Sequence, residues 1–194
     1  MSQIVLVRHG ATEWSEAGKH TGRTDLPLTS AGERGALALR DLVARRDYGM
    51  VLVSPLQRAR RTAELAGIPA YDIDPDLREW DYGGIEGRTT AEVSAELGRP
   101  WSVWADGVAA SGGETVEALA ERGRRVLDRA RPCLDTGRDV LLVGHGHALR
   151  VLAAMWLGLA PRDGALLALS AGSISALGLE HDRPVLDEWN LRPG

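Results

Sequence analysis

The chain has one cysteine, one lysine and no apolar run long enough to cross a membrane, and each shortage removes a class of function. Cys133 cannot form an intramolecular disulfide or supply the thiolate cluster of a zinc site. Set in Ala130-Arg131-Pro132-Cys133-Leu134, with no histidine nearby in sequence, it reads as an inert structural thiol. Lys19 is the only lysine, so nearly all the positive charge sits on arginine, an enrichment that is not in itself functional. The formal net charge of −4 gives no electrostatic basis for a nucleic-acid partner or an anionic membrane surface. The apolar run Ile4 to Val7 is too short for a secretory signal, and Val151 to Leu159 is too short for a membrane span. A reducing, cytoplasmic setting is therefore expected. Hydrophobic residues make up 44% of the 194 positions and charged residues 26%, as in a globular chain. With no repeat, linker or low-complexity stretch, one domain over 1–194 is expected.

Two short apolar runs organise what is present. Ile4-Val5-Leu6-Val7 ends in Arg8-His9-Gly10, and Val140-Leu141-Leu142-Val143 leads to His145-Gly146. A guanidinium beside an imidazole is a poor place for a metal cation. It suits an imidazole that attacks an anion, or is held against one. Met50 to Val53 reads as another buried strand, Tyr71 to Ile73 as a short one, and Ile174 to Leu179 and Val185 to Trp189 as two more. Helices are expected from Ser30 to about Arg46, opened by a Ser30/Glu33 capping box, and from Ser54 as N-cap with Pro55 at the first helical position. The second of these should end at Gly67. Thr89 and Glu92 form a further capping box before a stop at Gly98. Glu114 to Arg131 is a charged amphipathic helix, and another runs from about Ala148 to Leu157. Pro100 to Gly113, with Trp101 and Trp104, reads as irregular. Alternating strands and helices predict a three-layer α/β/α sandwich with a mostly parallel central sheet. Ligands of such sheets bind beyond the C-terminal strand ends, where Arg8-His9, Ser54 to Arg58 and His145 all fall.

Five ordered blocks carry a resemblance. They are Arg8 to Trp14 with Thr21 to Thr29 behind it, Ser54 to Ala63, Glu79 to Gly87, Gly113-Glu114-Thr115, and Gly144-His145-Gly146-His147. Together, from residue 4 to about 150, they resemble the histidine phosphatase superfamily, also called phosphoglycerate mutase-like. The resemblance implies that His9 is phosphorylated, that Arg8, Arg58 and His145 bind phosphate, and that Glu79 is the acid. It further implies phosphate or substrate contacts for Gly10, Thr12, Ser15, Thr21, the amide of Gly22, Tyr82 and Gly146. The chemistry is coherent on its own terms. A neutral imidazole is a competent nucleophile towards phosphorus, guanidinium groups can clamp phosphoryl oxygens in pairs, and a protonated His145 would add charge at the equatorial oxygens. Glu79 would protonate the leaving alkoxide and then, ionised, activate water. No cofactor or metal is called for, since Arg8 and Arg58 would repel a cation.

The adjacent arginine pair that holds the substrate carboxylate in the family's mutases is absent, because only Arg88 and Arg99 are basic between Tyr82 and Gly112. That segment offers Trp101, Val103, Trp104 and Val108, an apolar lid or wall, so water is the expected acceptor. The blocks look like the small bacterial acid-phosphatase branch, which implies a broad phosphomonoester hydrolase working at acid pH, on a small-molecule substrate, as a monomer or homodimer. Two alternatives stay open: a 2,3-bisphosphoglycerate-dependent phosphoglycerate mutase, and a catalytically silent phosphate-binding or scaffolding domain. Plainer readings stand beside the individual residues. His9 alone can be a satisfied structural group, Glu79 a solvated loop carboxylate, and Arg60 and Arg61 a solvated helix face. His20 and His181 read as surface residues, and His147 as a helix-start residue or a support for the site.

Overall fold

The computed structural model describes residues 2–193. In chain order the elements are β1 (Ile4–Arg8), α1 (Glu13–Glu16), α2 (Ser30–Ala38), α3 (Arg40–Val43), β2 (Tyr48–Val53), α4 (Gln57–Leu65) and β3 (Asp72–Ile73). There follow α5 (Thr90–Leu97), α6 (Val103–Asp106), α7 (Val116–Asp135), β4 (Asp139–Gly144), α8 (Gly146–Trp156), β5 (Ile174–Glu180) and β6 (Arg183–Leu191). The six strands form one mixed sheet in the order β3-β2-β4-β1-β5-β6. β1 to β4 run parallel, β5 pairs antiparallel with β1, and β6 pairs antiparallel with β5.

The central strands are apolar on both faces because helices cover both. Ile4 and Leu6 of β1, with Val140 and Leu142 of β4, point to one side, where Val126 and Ala130 of α7 and Leu149 and Leu152 of α8 close over them. The alternate residues Val5, Val7, Leu141 and Val143 meet Leu39, Val43, Ala59 and Ala63 on the other side. This period-two division of a continuous apolar run is how a strand buried on both faces serves two cores. Each fully buried leucine contributes about 2 kcal/mol of transfer free energy.

A third cluster lies away from the sheet. Trp80, Tyr82, Val93, Trp101, Val103 and Val108 pack onto Val116 and Leu119 of α7 and Val151 of α8. The expected apolar wall is therefore largely interior: Trp101, Val103 and Val108 are buried, and only Trp104 keeps partial exposure.

Several helix limits differ from expectation for local reasons. The α2 cap is Thr29, whose hydroxyl accepts from the Gly32 amide at 3.0 Å, while Glu33 pairs with Arg61. The helix also breaks at Leu39. Ser54 does not cap α4. That end is met by Asp25, which accepts from the Gln57 amide at 2.8 Å, and Pro55 lies before the helix. Pro132, which has no N–H to give, costs α7 one internal bond without stopping it.

Candidate active site

Strands β1 and β4 are neighbours in register, Arg8 opposite Gly144, so both deliver their following histidines to the same place. The His9 amide donates to the Gly144 carbonyl at 3.0 Å, and the His9 and His145 rings lie 5.0 Å apart between centroids. The Ser54 amide bonds the Val143 carbonyl, bringing the end of β2 and the start of α4, with Arg58, to the same corner. Glycine is required at the crossing beneath. A Cβ on Gly10 would stand 2.4 Å from the Gly32 carbonyl oxygen, and one on Gly32 would stand 2.1 Å from that of Ala11.

His9 is held in one tautomer. Its Nδ1 lies 2.7 Å from the Gly10 carbonyl, which can only accept, so Nδ1 carries the proton and Nε2 keeps its lone pair. Burial, then the charges of Arg58 and Arg8, hold its pKa well below the ordinary histidine value, against the pull of the Gly10 carbonyl. The group is a neutral, buried imidazole with a free basic nitrogen.

The two arginines are not equivalent. Of the five N–H bonds of Arg58, four are spent: Nε on His145 Nδ1 at 3.1 Å, one Nη1 on the Thr24 carbonyl, and two from Nη2 on the carbonyls of Thr21 and Gly22. One Nη1 hydrogen remains, so Arg58 cannot clamp two phosphoryl oxygens as expected. Arg8 gives one Nη1 hydrogen to the Leu169 carbonyl and has a buried Nε without a partner among the described residues. Gly146 backs this group; its Cβ would stand 3.2 Å from the Arg8 Cζ.

His145 differs from expectation. Its Nδ1 accepts from Arg58, so the proton is on Nε2, which lies 2.7 Å from Ser54 Oγ. Burial and Arg58 press its pKa well down, and a protonated Nδ1 could not accept that bond. The structure thus holds a neutral His145 with both nitrogens engaged, not an imidazolium facing the site.

Glu79 is buried, not a solvated loop carboxylate. Oε1 accepts from the amides of Trp80 and Ala148, both at 2.9 Å, and Oε2 accepts from the His147 amide at 3.0 Å. The carboxylate therefore sits on the N-terminus of α8, with one lone pair of Oε2 left over.

The weaker candidates are mostly engaged elsewhere. Thr12 and Ser15 cap α1 reciprocally, and the Gly10 amide donates to Thr62 Oγ1 at 3.0 Å. The Thr21 hydroxyl bonds the Lys19 carbonyl, the Gly22 amide goes to Glu86, and the Tyr82 hydroxyl lies 2.7 Å from His147 Nδ1. His20, expected at the surface, is buried against Tyr82 and Trp101. His181 is exposed in the β5–β6 turn. Cys133 is half-buried against the core. A cavity of about 720 Å³ adjoins Glu79 and is lined by Gly22, Arg23, Arg78, Asp81 and Glu114 rather than by the tryptophans. Ser54, Asp25, Thr62 and Glu86 were not singled out from sequence for these roles. Their signals are single polar residues whose partners are distant in the chain. Among the described residues no group of three or more His, Cys, Asp or Glu is placed to hold a metal, and no helix is long and apolar enough to cross a membrane.

His9 and His145 are buried and His147 half-buried, and all three have pKa values pressed well below 6.5, chiefly by loss of solvent. Above the unfolded value both states are neutral and nothing changes. Below it the unfolded chain takes up protons that the folded chain refuses, so stability falls with pH. Three such groups should cost about 3 kcal/mol between about pH 6.5 and 5.5. Asp76, held at about 2 by Arg125 with Arg129, contributes above the ordinary aspartate value and is lost only at lower pH. Denaturant titrations at the two pH values check this, and coincident midpoints would contradict it.

Residues 4–192 match the family model described as histidine phosphatase superfamily (branch 1). The chain is 38% identical to a sedoheptulose 1,7-bisphosphatase of Saccharomyces cerevisiae, over 81% of this chain and 68% of that protein. It is 36% identical to an acid phosphatase of Mycobacterium tuberculosis, over 92% of this chain and 87% of that one. Among solved structures, the product of a Mycobacterium tuberculosis open reading frame superposes with a TM-score of 0.93 at 34% identity, covering 100% of this chain and 99% of the other.

Proposed function

The chain belongs to the histidine phosphatase superfamily and is a phosphatase; from that premise we propose that it is a metal-independent phosphomonoester hydrolase of broad specificity working through phospho-His9. The observation that carries this reading is the pairing of a neutral His9, its Nε2 lone pair free, with the buried, unpartnered Nε of Arg8. A buried donor without a partner is costly unless a ligand satisfies it, and a phosphoryl oxygen does so.

In the first half-reaction His9 Nε2 attacks phosphorus, the P–O ester bond breaks, and the leaving oxygen takes a proton from Glu79 Oε2, whose spare lone pair can carry one. Arg8 and the single free N–H of Arg58 hold the phosphoryl oxygens. In the second, Glu79 takes a proton from water, the water oxygen bonds to phosphorus, and the P–N bond breaks, returning the electron pair to Nε2. His145 orients Arg58 rather than supplying charge in the resting arrangement. Two guanidinium groups stand where a metal-assisted phosphatase would place a cation, which supports the metal-free reading.

The test is phosphate release from p-nitrophenyl phosphate and a panel of phosphomonoesters. Hydrolysis is expected to survive EDTA, to be blocked by vanadate, and to yield free phosphate from 3-phosphoglycerate. Loss of activity in EDTA, 2-phosphoglycerate as product, or no hydrolysis between about pH 4 and 8 would each overturn the reading.

A further inference from the structure

The loop 21–25 is gripped from two sides. Its carbonyls, at Thr21, Gly22 and Thr24, accept from Arg58. Its amides, at Gly22, Arg23 and Thr24, converge on one carboxylate: Glu86 Oε1 accepts from Gly22 at 3.1 Å and Thr24 at 2.6 Å, and Oε2 accepts from Arg23 at 3.2 Å. Three successive backbone N–H groups turned to one point form an anion nest, and here the anion is the protein's own side chain. No side chain of this loop reaches Arg58. Two peptide planes do both at once: Thr21–Gly22 and Gly22–Arg23 each give an N–H to Glu86 and a carbonyl to the guanidinium, while Asp25 at the end of the loop meets the start of α4 through Gln57.

The position of Arg58 therefore depends on a residue that does not touch the reacting atoms. Arg58 has no exposure and one N–H to spare, so its aim is set by the four acceptors that surround it. Three of those four belong to the loop that Glu86 holds. Glu86 enters from the 3-10 turn after Tyr82 and is half-buried, within reach of small solutes. Gly22 is needed where it stands because a Cβ would lie 2.6 Å from the Trp80 carbonyl and 3.4 Å from Glu86 Oε2.

We propose that Glu86 is a positioning residue for phosphoryl transfer: by filling the anion nest of residues 22–24 it fixes the loop carbonyls that aim the last free N–H of Arg58. This rests on the phosphohydrolase reading above, and the experiment separates the two. The parent enzyme must hydrolyse p-nitrophenyl phosphate and bind vanadate; if it does not, the functional reading fails and Glu86 is not what is being tested.

With the parent active, Glu86→Ala should lose about 10- to 100-fold in kcat/KM, as for a misplaced clamp, with a matching weakening of vanadate inhibition. Formate or acetate should restore part of the loss by occupying the nest, and should leave Arg58→Ala unchanged. In the Arg58→Ala background the Glu86 substitution should cost nothing further, since coupled positions do not add. Glu86→Gln, which keeps the Oε1 acceptor for Gly22 and Thr24, should retain most activity and serves if the alanine variant fails to fold. The proposal is overturned if folded Glu86→Ala stays within two-fold of the parent. It is also overturned if its loss adds fully to that of Arg58→Ala, or if no small carboxylate recovers any of it. For Glu86→Gln, a loss as deep as that of alanine overturns it.

Discussion

Replacing His9 with alanine should lower kcat by about 10⁵-fold or more, while the protein remains folded and still binds vanadate or phosphate. The size follows from the role. Among the described residues His9 Nε2 has no partner, whereas both nitrogens of the neighbouring His145 are engaged by Arg58 and Ser54. His145 cannot take over the attack. Anion binding should outlast the substitution, because the groups proposed to hold the anion are Arg8 and Arg58. The direct check is a phosphoenzyme trap: the parent, mixed with labelled substrate and quenched in alkali, should carry acid-labile phosphate, and His9→Ala should carry none. Label persisting in the variant would move the nucleophile to another residue.

Glu79→Gln should separate the two half-reactions. Protonation of the leaving group matters most when that group is a poor one, so alkyl phosphates should lose about 10²- to 10⁴-fold in kcat. p-Nitrophenyl phosphate, whose leaving oxygen needs no proton, should phosphorylate the variant at near the parental rate. Water still needs a base in the second step, so phospho-His9 should accumulate and give a burst of nitrophenol followed by slow turnover. The glutamine can keep the Trp80 and Ala148 amide bonds through its carbonyl oxygen, which limits the structural damage to the contact with the His147 amide. Equal losses for both substrates, with no burst, would exclude the acid role.

The frame of this site was legible in the linear chain, and its wiring was not. Apolar runs ending in Arg8-His9 and leading to His145 are local patterns, and a parallel sheet gathers such ends at one edge. Ser54-Pro55 was legible as the approach to a helix, yet the hydroxyl went to His145 because Asp25 had already met the helix end from thirty-two residues upstream. Glu33 likewise looked like half of a capping box and instead reached across to Arg61. The Gly22 amide is chemically able to meet phosphate, and only tertiary structure reveals that Glu86 has claimed it, whereas the Thr12 and Ser15 hydroxyls are taken up locally in the cap of α1. Trp101, Val103 and Val108 misled for a related reason. An apolar segment beside a site lines it or packs beneath it, and composition does not choose between the two.

The cluster that buries those side chains has a further consequence. Glu79 and Tyr82 border a module whose apolar contacts are with α7 and α8, while Arg8 and His9 belong to the end of β1 and Arg58 to α4 and the loop it grips. The proposed nucleophile and the proposed proton donor thus rest on different apolar clusters, which meet through α7 and α8 and the amides at the start of α8. Insertions, deletions or exchanges between residues 88 and 113, which leave Glu86 in place, can redraw the surroundings of Glu79 while His9, Arg8 and Arg58 keep their geometry. A scaffold divided in this way lends itself to diversification of substrate by exchange of one segment, with the proposed chemistry at His9 inherited unchanged.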